Sequence, residues 1–400
     1  MELLDYFLKY VKIDTMSAEN TDTIPSTNKQ FDLAKVLAKD LEDLGLENIN
    51  ISKNCIVTAV LKSNCNSKLK IGFLAHMDTI PGFSGTNVKP NIIKNYDGNI
   101  VKLNKIELNP KQFPFLLDLK GKTLITTDGT TVLGADDKAG IANIMAMLKY
   151  YKDNKDIKHV NIHIAFTPDE EIGAGIQAFD TKAFDADYAY TVDGGYYNEI
   201  NYENFNAASC NVKIHGLDIH PGSAKGQMKN AALILMEFNS LLPVNERPEY
   251  TDMYDGFNHL CEMKGAVGKA DATYILRNHS LKLLEKQKND FINACEFINK
   301  KYGKGTCEIE LKDSYLNMKE LIDKDPRCID RAINAIKSLG FTPSFQPIRG
   351  GTDGAWLTQM GLNTPNLGTG GYNCHGPYEF ACLEEMENVV KILIEIAKER

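Results

Sequence analysis

The sequence predicts an α/β protein into which a second, ferredoxin-like α+β domain is inserted. Apolar stretches with the two-residue period of strands alternate with stretches of helical periodicity through the first half of the chain. Three of the predicted strands run directly into acidic or histidine residues, as strands do in open α/β sheets that bind ligands at one edge. In the middle of the chain the predicted order is strand, helix, strand, strand, helix, strand, which is the ferredoxin-like order.

The first 80 residues open with helical periodicity and then become extended. Residues 1–11 and 30–44 have apolar residues at helical spacing, and residues 49–61 are typical of extended chain. Residues 70–75 form an apolar run, as expected of a strand buried on both faces, and end at His76-Met-Asp78. The first candidate functional residues therefore follow a strand directly.

Residues 81–121 are too long for a simple connection, and we expect them to form a functional loop or a small subdomain. After them, a stretch that contains the adjacent carboxylates Asp136 and Asp137 leads into a helix with an apolar face. Residues 160–166 and 188–192 are strand-like and run into Thr167-Pro-Asp-Glu-Glu171 and Asp193. Three strands thus deliver polar side chains at their carboxyl ends.

The inserted domain is predicted over residues 207–316, which leaves 1–206 and 317–400 as one discontinuous domain. Its elements are strands at 207–219, 259–264, 271–277 and 306–311 and helices at 230–242 and 280–300. Beyond it we expect helices at 326–339 and 383–398, with glycine-rich loops at 349–354, 367–371 and 374–376.

Composition excludes several classes of protein. The 400 residues carry a net charge of -8, with no basic run interleaved with aromatics, so we expect no nucleic-acid partner. No apolar run reaches the roughly 20 residues of a membrane span, and the acidic N-terminal residues do not fit a secretory signal. Nine scattered cysteines without a Cys-x-x-Cys pair suit a reducing compartment, so we expect a cytoplasmic protein without membrane association.

Acidic and histidine side chains recur where strands end and loops begin, and together they predict a metal site. Each one alone has a structural explanation as a helix cap, a turn residue or a satisfied core histidine. Imidazole and carboxylate ligands without thiolate suit Zn, Mn or Co, and their number suits two ions about 3.5–4 Å apart. The residues concerned are His76, Asp78, Asp136, Glu170, Glu171, Asp193 and His375.

The spacing of these residues suggests different roles. Asp78 lies two positions after His76 in extended chain, on the same side, where it can orient the imidazole instead of binding metal. The neighbours Glu170 and Glu171 cannot both point at one ion in the same way. We therefore expect one to bind metal and the other to take the proton from a metal-bound water, which is hydrolase chemistry.

Several long motifs resemble the co-catalytic dinuclear zinc peptidase family, which contains aminoacylases and acetylornithine deacetylase. Segments 83–90, 123–129 and 348–355 resemble its tripeptide aminopeptidases in particular, and the resemblance extends over essentially the whole chain. The family motifs are Ala75-His-Met-Asp-Thr79, Gly134-Ala-Asp-Asp-Lys-Ala-Gly140, Thr167-Pro-Asp-Glu-Glu-Ile-Gly173, Asp193-Gly-Gly195 and His220-Pro-Gly222.

The resemblance implies a mixed sheet covered by helices in the catalytic domain and a lid and dimerisation role for the inserted domain. It implies two Zn²⁺ per subunit, replaceable by Mn or Co, with Asp136 bridging both ions. His76 and Asp193 would complete one ion, and Glu171 and His375 the other. Glu170 would be the general base.

Three further residues match family positions outside the ligand set. His220 would stabilise the tetrahedral oxyanion, typically across the interface of a homodimer. Arg277 and Arg349 match substrate-binding arginines, and a guanidinium can hold a peptide carboxylate in a bidentate manner. Either arginine could instead form a structural ion pair.

The resulting hypothesis is a metallo-aminopeptidase acting on tripeptides with a free N-terminus. An N-acyl amino-acid deacylase or a dipeptidase would use the same site and is the alternative hypothesis. A peptide-binding homologue without catalytic activity is the third hypothesis. The sequence departs from the family pattern at Cys374, where an aromatic residue is usual, and we interpret Cys374 as a small buried side chain, with a thiolate near the metal as the alternative. Pro377 follows closely and could shift this loop.

Overall fold

The computed structural model describes all residues from Met1 to Arg400. The chain forms two compact units. Unit 1 comprises Met1–Tyr202, Glu320–Gln346 and Thr352–Arg400, and unit 2 comprises Glu203–Lys319 and Pro347–Gly351. Residues 203–206, 317–319 and 347–351 thus cluster with unit 2, although the sequence predicted them in the first domain.

The α-helices, in chain order, are α1 Leu3–Tyr10, α2 Gln30–Leu44, α3 Ala135–Asp153, α4 Thr181–Phe184, α5 Ala231–Leu241, α6 Leu281–Tyr302, α7 Lys319–Ile322, α8 Arg327–Ser338, α9 Asp353–Gln359 and α10 Leu383–Ala397. Short 3-10 helices cover Pro114–Leu119, Glu170–Ile172, Ile176–Ala178, Pro221–Ser223, Val244–Glu246 and Pro248–Tyr250. None of the helices is long and apolar enough to cross a membrane.

The strands of unit 1 that precede the insertion are β1 Glu47–Ile51, β2 Val57–Leu61, β3 Lys70–His76, β4 Asn91–Ile93, β5 Val101–Leu103, β6 Ile106–Leu108, β7 Leu124–Thr126, β8 Asn161–Thr167, β9 Tyr188–Gly194 and β10 Ile200–Asn201. Unit 2 contributes β11 Asn206–His215, β12 Phe257–Gly265, β13 Lys269–Asn278 and β14 Cys307–Asp313. The chain ends with β15 Asn366–Gly368, β16 Gly371–Tyr372 and β17 Phe380–Cys382.

Unit 1 is built on a seven-stranded mixed sheet of order β1-β2-β8-β3-β9-β15-β10. Strands β8, β3, β9 and β15 are mutually parallel, and the strands outside them pair antiparallel. β3 and β8 are buried almost throughout, as their apolar sequences predict for strands covered on both faces. Helix α3 is buried along most of its length. The prediction of an α/β domain with a helix-covered mixed sheet is confirmed.

The long excursion between β3 and α3 forms a small subdomain. Strand β4 joins β7, β17 and β16 in a four-stranded antiparallel sheet, and β5 and β6 form a separate hairpin. Its side chains, among them Leu116, share a core with Tyr372 and Phe380 from the C-terminal region. The subdomain therefore connects the excursion with the loop that carries His375.

Unit 2 has the ferredoxin-like arrangement. Its sheet order is β12-β13-β11-β14 with every pair antiparallel, and α5 and α6 lie between the strands in sequence as predicted. The buried face of the sheet and the two helices share one core that includes Phe238, Tyr274 and Phe291.

Candidate metal centre

Three neighbouring parallel strands bring their carboxyl ends to one edge of the sheet. β3 ends at His76, whose register partner is Thr167 at the end of β8, and Leu74 pairs with Thr191 of β9, two residues before Asp193. The strands are hydrogen-bonded neighbours in the order β8-β3-β9, so the side chains that follow them meet at this edge.

The fourth contribution comes from the start of α3. Gly134 precedes it with φ +76, and Asp136 and Asp137 have non-helical backbone angles, with a cis peptide bond between them. Regular helical geometry therefore begins after Asp137. The Asp137 carboxylate accepts hydrogen bonds from the main-chain N–H groups of His76 (3.2 Å) and Gly140 (3.1 Å).

The structure brings the five predicted metal ligands together. Asp136 lies at the centre, with Oδ1 2.9 Å from Nε2 of His76 and Oδ2 3.1 Å from Nε2 of His375. His76 Nε2 also lies 3.5 Å from Oδ1 of Asp193, and His375 Nε2 lies 2.9 Å from Oε2 of Glu171. The two oxygens of Asp136 thus face two separate groups of ligands, as a bridging carboxylate requires.

The clustered carboxylates outnumber the positively charged groups beside them, and the pKa values of the site reflect this. Burial raises the pKa of Asp193 to about 7 and, with the nearby charge of Asp193, raises the pKa of Glu170 well above its ordinary value. Hydrogen bonds to Asp136 and Glu171 raise the pKa of His375 to about 10. Burial works against ionisation of Asp136 as well, but hydrogen bonds from His375 and His76 hold its pKa below the usual range.

Asp78 lies beneath this cluster and is fully buried. Its carboxylate accepts from the N–H groups of Glu170 (2.9 Å) and Glu171 (3.3 Å) and lies 3.3 Å from Nδ1 of His76. Nδ1 is also 3.1 Å from the main-chain oxygen of Asp78. With the Nδ1 proton directed at Asp78, the lone pair of His76 is left on Nε2, which faces the cluster.

The donor set fits the binding of divalent metal. The ligand atoms of His76, Asp136 and Glu171 lie within 4.8 Å of one another, and so do those of His76, Asp137 and Asp193. In the second group Asp137 competes with Asp136 as a ligand, but both Asp137 oxygens already accept main-chain N–H bonds. The remaining nitrogen and carboxylate donors, without sulfur, suit Zn, Mn or Co.

Two buried carboxylates beside the cluster were missed by the sequence analysis. Glu379 accepts from the N–H groups of Leu133 (2.6 Å), Gly134 (2.8 Å) and Asp136 (3.0 Å), and burial raises its pKa to about 7. Asp353 accepts from the hydroxyl of Thr167 at 2.8 Å, and burial also raises its pKa to about 7. Glu379 has no motif around it. Asp353 lies in segment 348–355, which resembles the family, but no role was predicted for it, and residues 349–354 were predicted to be loop, whereas α9 begins at Asp353.

The three other predicted site residues belong to unit 2. His220 is exposed, and its Nδ1 accepts from the N–H of Gly222 at 3.2 Å, so the neutral ring carries its proton on Nε2. The Arg277 guanidinium donates to the carbonyl oxygens of Ala208 (3.2 Å) and Leu276 (2.9 Å).

Arg349 has more extensive contacts with unit 2. Nη1 donates to the carbonyl oxygens of Met253 (2.8 Å) and Asp255 (2.9 Å), and Nη2 donates to the hydroxyl of Thr251 (3.0 Å). The guanidinium also lies over the ring of Phe205, 5.2 Å from its centroid. Arg349 is thus held by two main-chain carbonyls, a hydroxyl and an aromatic ring of unit 2.

The interpretation of Cys374 as a buried side chain is wrong. Cys374 is exposed, since it lies in the loop between β16 and β17 that presents His375, where Asn373 and His375 both have positive φ (+52 and +70). Its sulfur is not among the clustered ligand atoms.

Comparison with known proteins gives the same family that the motifs indicated. Residues 131–399 match the model of Peptidase family M20/M25/M40. A protein named Peptidase T from Caldanaerobacter subterraneus subsp. tengcongensis is 51% identical over 401 residues, covering 99% of this chain and 98% of the relative. A second Peptidase T, from Clostridium acetobutylicum, is 49% identical with the same coverage.

Two solved structures share the fold over nearly the whole chain. The aminopeptidase PepT of Bacillus cereus aligns with a TM-score of 0.79 at 24% identity, covering 99% of this chain and 97% of that one. A tripeptidase of Staphylococcus aureus aligns with a TM-score of 0.80 at 22% identity and the same coverage.

Proposed function

The chain belongs to peptidase family M20/M25/M40, and we propose that it is a metallo-aminopeptidase that removes the N-terminal residue from tripeptides. The observation that carries the proposal is the cluster in which the two oxygens of Asp136 face His76 and His375, with Glu170 beside it. Full-length similarity to Peptidase T at about half identity supports the choice of peptide substrates.

We assign two Zn²⁺ ions to the site, with Mn or Co as substitutes. His76 and Asp193 would hold one ion, Glu171 and His375 the other, and Asp136 both. When bound, such a pair of ions acidifies a water molecule and polarises the substrate carbonyl. Asp78 keeps His76 in the tautomer that binds metal through Nε2.

Glu170 is the general base in this proposal. Its backbone N–H donates to Asp78, and burial near Asp193 raises its pKa, which makes the carboxylate a better proton acceptor. Glu170 takes a proton from the attacking water and then delivers it to the leaving amine. Glu171, with its side chain 2.9 Å from His375, is left as the ligand.

Substrate recognition is assigned to unit 2. His220 carries its proton on Nε2, which makes it a donor for the oxyanion of the tetrahedral intermediate, and we propose that it acts across a homodimer interface. Arg277 and Arg349 are proposed to bind the peptide carboxylate. Because Arg349 already makes three hydrogen bonds, its replacement would also release the loop around Met253. We assign the enzyme to the cytoplasm.

Glu170→Gln tests the assignment of the base. The substitution keeps size and removes the proton acceptor, so kcat on a tripeptide such as Met-Gly-Gly should fall about 10²–10⁴-fold while bound zinc remains at two per chain. Unchanged turnover in Glu170→Gln would refute both the base and the mechanism.

A substrate panel separates the alternatives. The metal-loaded protein should release a free amino acid from tripeptides faster than from dipeptides and should leave N-acetylated amino acids intact. Preferential cleavage of N-acetylated amino acids would identify a deacylase, and preference for dipeptides a dipeptidase. Binding of peptides without any turnover would identify a protein that has lost catalysis.

A further inference from the structure

Asp169, which precedes the Glu170–Glu171 pair, is a buried carboxylate in a left-handed backbone conformation. Its φ is +59 and ψ is +26, and its side chain has no exposed surface. Residues other than glycine rarely adopt this conformation, and they keep it where surrounding contacts impose it. At Asp169 the backbone turns from strand β8 into the 3-10 helix Glu170–Ile172.

The contacts that hold Asp169 come from the loop between α1 and α2 and from Gln30, the first residue of α2. Oδ1 accepts from the hydroxyl of Ser26 at 2.5 Å and from Nε2 of Gln30 at 2.6 Å, and Oδ2 accepts from the main-chain N–H of Ser26 at 2.6 Å. The Ser26 hydroxyl in turn accepts from the N–H of Ala18 at 2.9 Å. We call residues 13–30, which comprise this loop and the first residue of α2, the N-terminal loop, and every bond formed by the carboxylate is to it.

The orientation of Gln30 follows from Asp169. Gln30 is fully buried, and its carbonyl oxygen has no hydrogen-bond partner. Turning the amide over would place that oxygen against the carboxylate, so the amide donates to Asp169 and leaves its own acceptor unpaired.

The same loop contacts the residues next to two other metal-binding stretches. Ser17 donates through its N–H (3.0 Å) and its hydroxyl (3.1 Å) to the carbonyl oxygen of Thr79, which follows Asp78. Nζ of the buried Lys138, two residues after Asp136, donates to the carbonyl oxygen of Ile13 at 2.7 Å. One loop therefore contacts all three stretches that supply His76, Asp136 and Glu171.

We propose that the N-terminal loop is part of the active-site scaffold and that Asp169 is a positioning residue through which Ser26 and Gln30 set the direction of Glu170 and Glu171. The turn is held on two sides, by Asp78 on the N–H groups of Glu170 and Glu171 and by the loop on the side chain of Asp169. Without the loop contacts the turn is held only by Asp78 and by the bond from the N–H of Ala174 to the carbonyl oxygen of Asp169 (2.9 Å), so Asp169 is freer to move toward a commoner backbone conformation, which would turn both glutamates. This inference rests on the proposed function, since it assumes that Glu170 is the base.

The test uses Ser26→Ala combined with Gln30→Leu, which removes two of the three donors to Asp169 at a distance from the metal ligands. Because a displacement of about 1 Å can cost about 10²-fold, kcat should fall about 10- to 100-fold with KM little changed. Zinc affinity, measured by competition with a chromophoric chelator, should fall at the ion bound by Glu171. Lys29→Met is the control, since it removes a side-chain donor of the same loop that bonds to Asp14 and to neither Asp169 nor Gln30.

A double-mutant cycle with Glu170→Gln separates a positioning effect on Glu170 from a general destabilisation of the fold. If the loop acts through Glu170, the loop variant should lower kcat in the wild-type background and have little further effect in Glu170→Gln, although its effect on thermal stability remains in both. Equal kcat losses in both backgrounds, or equal losses in Lys29→Met, would overturn the positioning role. If Glu170→Gln alone left kcat unchanged, the proposed function would fail instead.

Discussion

Replacing Glu379 should weaken the fold and the metal site together. Glu379 is 1% exposed, and its carboxylate is the acceptor for three main-chain N–H groups at Leu133, Gly134 and Asp136. In Glu379→Ala these groups lose their acceptor, and each unsatisfied buried donor costs about 1–3 kcal/mol. Since water can enter the vacated space, we expect a loss of about 3–5 kcal/mol in the free energy of unfolding.

Glu379→Gln should cost less, because one carbonyl oxygen remains. Oε2 serves both Leu133 and Gly134, so a Gln oxygen there leaves only the N–H of Asp136 facing an amide NH₂, at about 1–3 kcal/mol. Asp136 faces both ligand groups, so a displacement of Asp136 should weaken zinc binding. Each 1.4 kcal/mol lost from the binding free energy lowers zinc affinity about tenfold.

The assay is urea unfolding of the metal-free protein, followed by fluorescence of the one tryptophan, Trp356, which lies in unit 1. Zinc affinity is measured separately by chelator competition. Glu199→Gln is the control, since this buried carboxylate accepts from the N–H of Gly195 at 3.3 Å and is not in the cluster. If Glu379→Ala unfolds at the wild-type urea concentration and binds zinc equally well, the role given to Glu379 is wrong.

Three further predictions concern metal, pH and packing. Removal of metal by a chelator should abolish activity and lower the melting temperature, because the clustered carboxylates then repel one another. Added zinc should restore both properties. Full activity in the metal-free protein would contradict the assignment of the metal site. Burial lowers the pKa of His163, so the unfolded state takes up a proton at higher pH than the folded state. This histidine should therefore make the free energy of unfolding fall as pH drops below about 6.5, by at most about 1.4 kcal/mol per pH unit. Thermal unfolding of His163→Asn should show a flatter pH dependence, and an unchanged pH dependence would refute this. Gly140→Ala should lower the free energy of unfolding, measured in urea, by about 3 kcal/mol or more, since a Cβ would lie 1.9 Å from the Val192 carbonyl oxygen. Gly82→Ala, where a Cβ would meet open space, should be neutral. Equal effects of the two substitutions would contradict the packing.

Long periodic elements were predictable because their signal is local. The predicted bounds of α2, Gln30–Leu44, match the structure, and β3, β8 and β9 were identified from short apolar runs followed by polar residues. Departures from regular backbone geometry were harder to predict from the sequence. Asp136 and Asp137 were expected at a helix start, but their non-helical angles depend on contacts with Glu379, His76 and Gly140, which are distant in sequence or formed only after folding.

The sequence by itself determined the fold class, the family and a list of candidate ligands, because strand ends with polar residues and long motifs are written in consecutive residues. Only the tertiary structure decided how those residues are held. Asp169 is in the middle of a motif, yet its partners Ser26 and Gln30 lie more than 130 positions away, with sequence separations of 143 and 139. Glu379 is separated by 243 residues from Asp136. Such pairings follow from chain topology, since parallel strands and a returning C-terminal loop bring together side chains whose relation has no local periodicity.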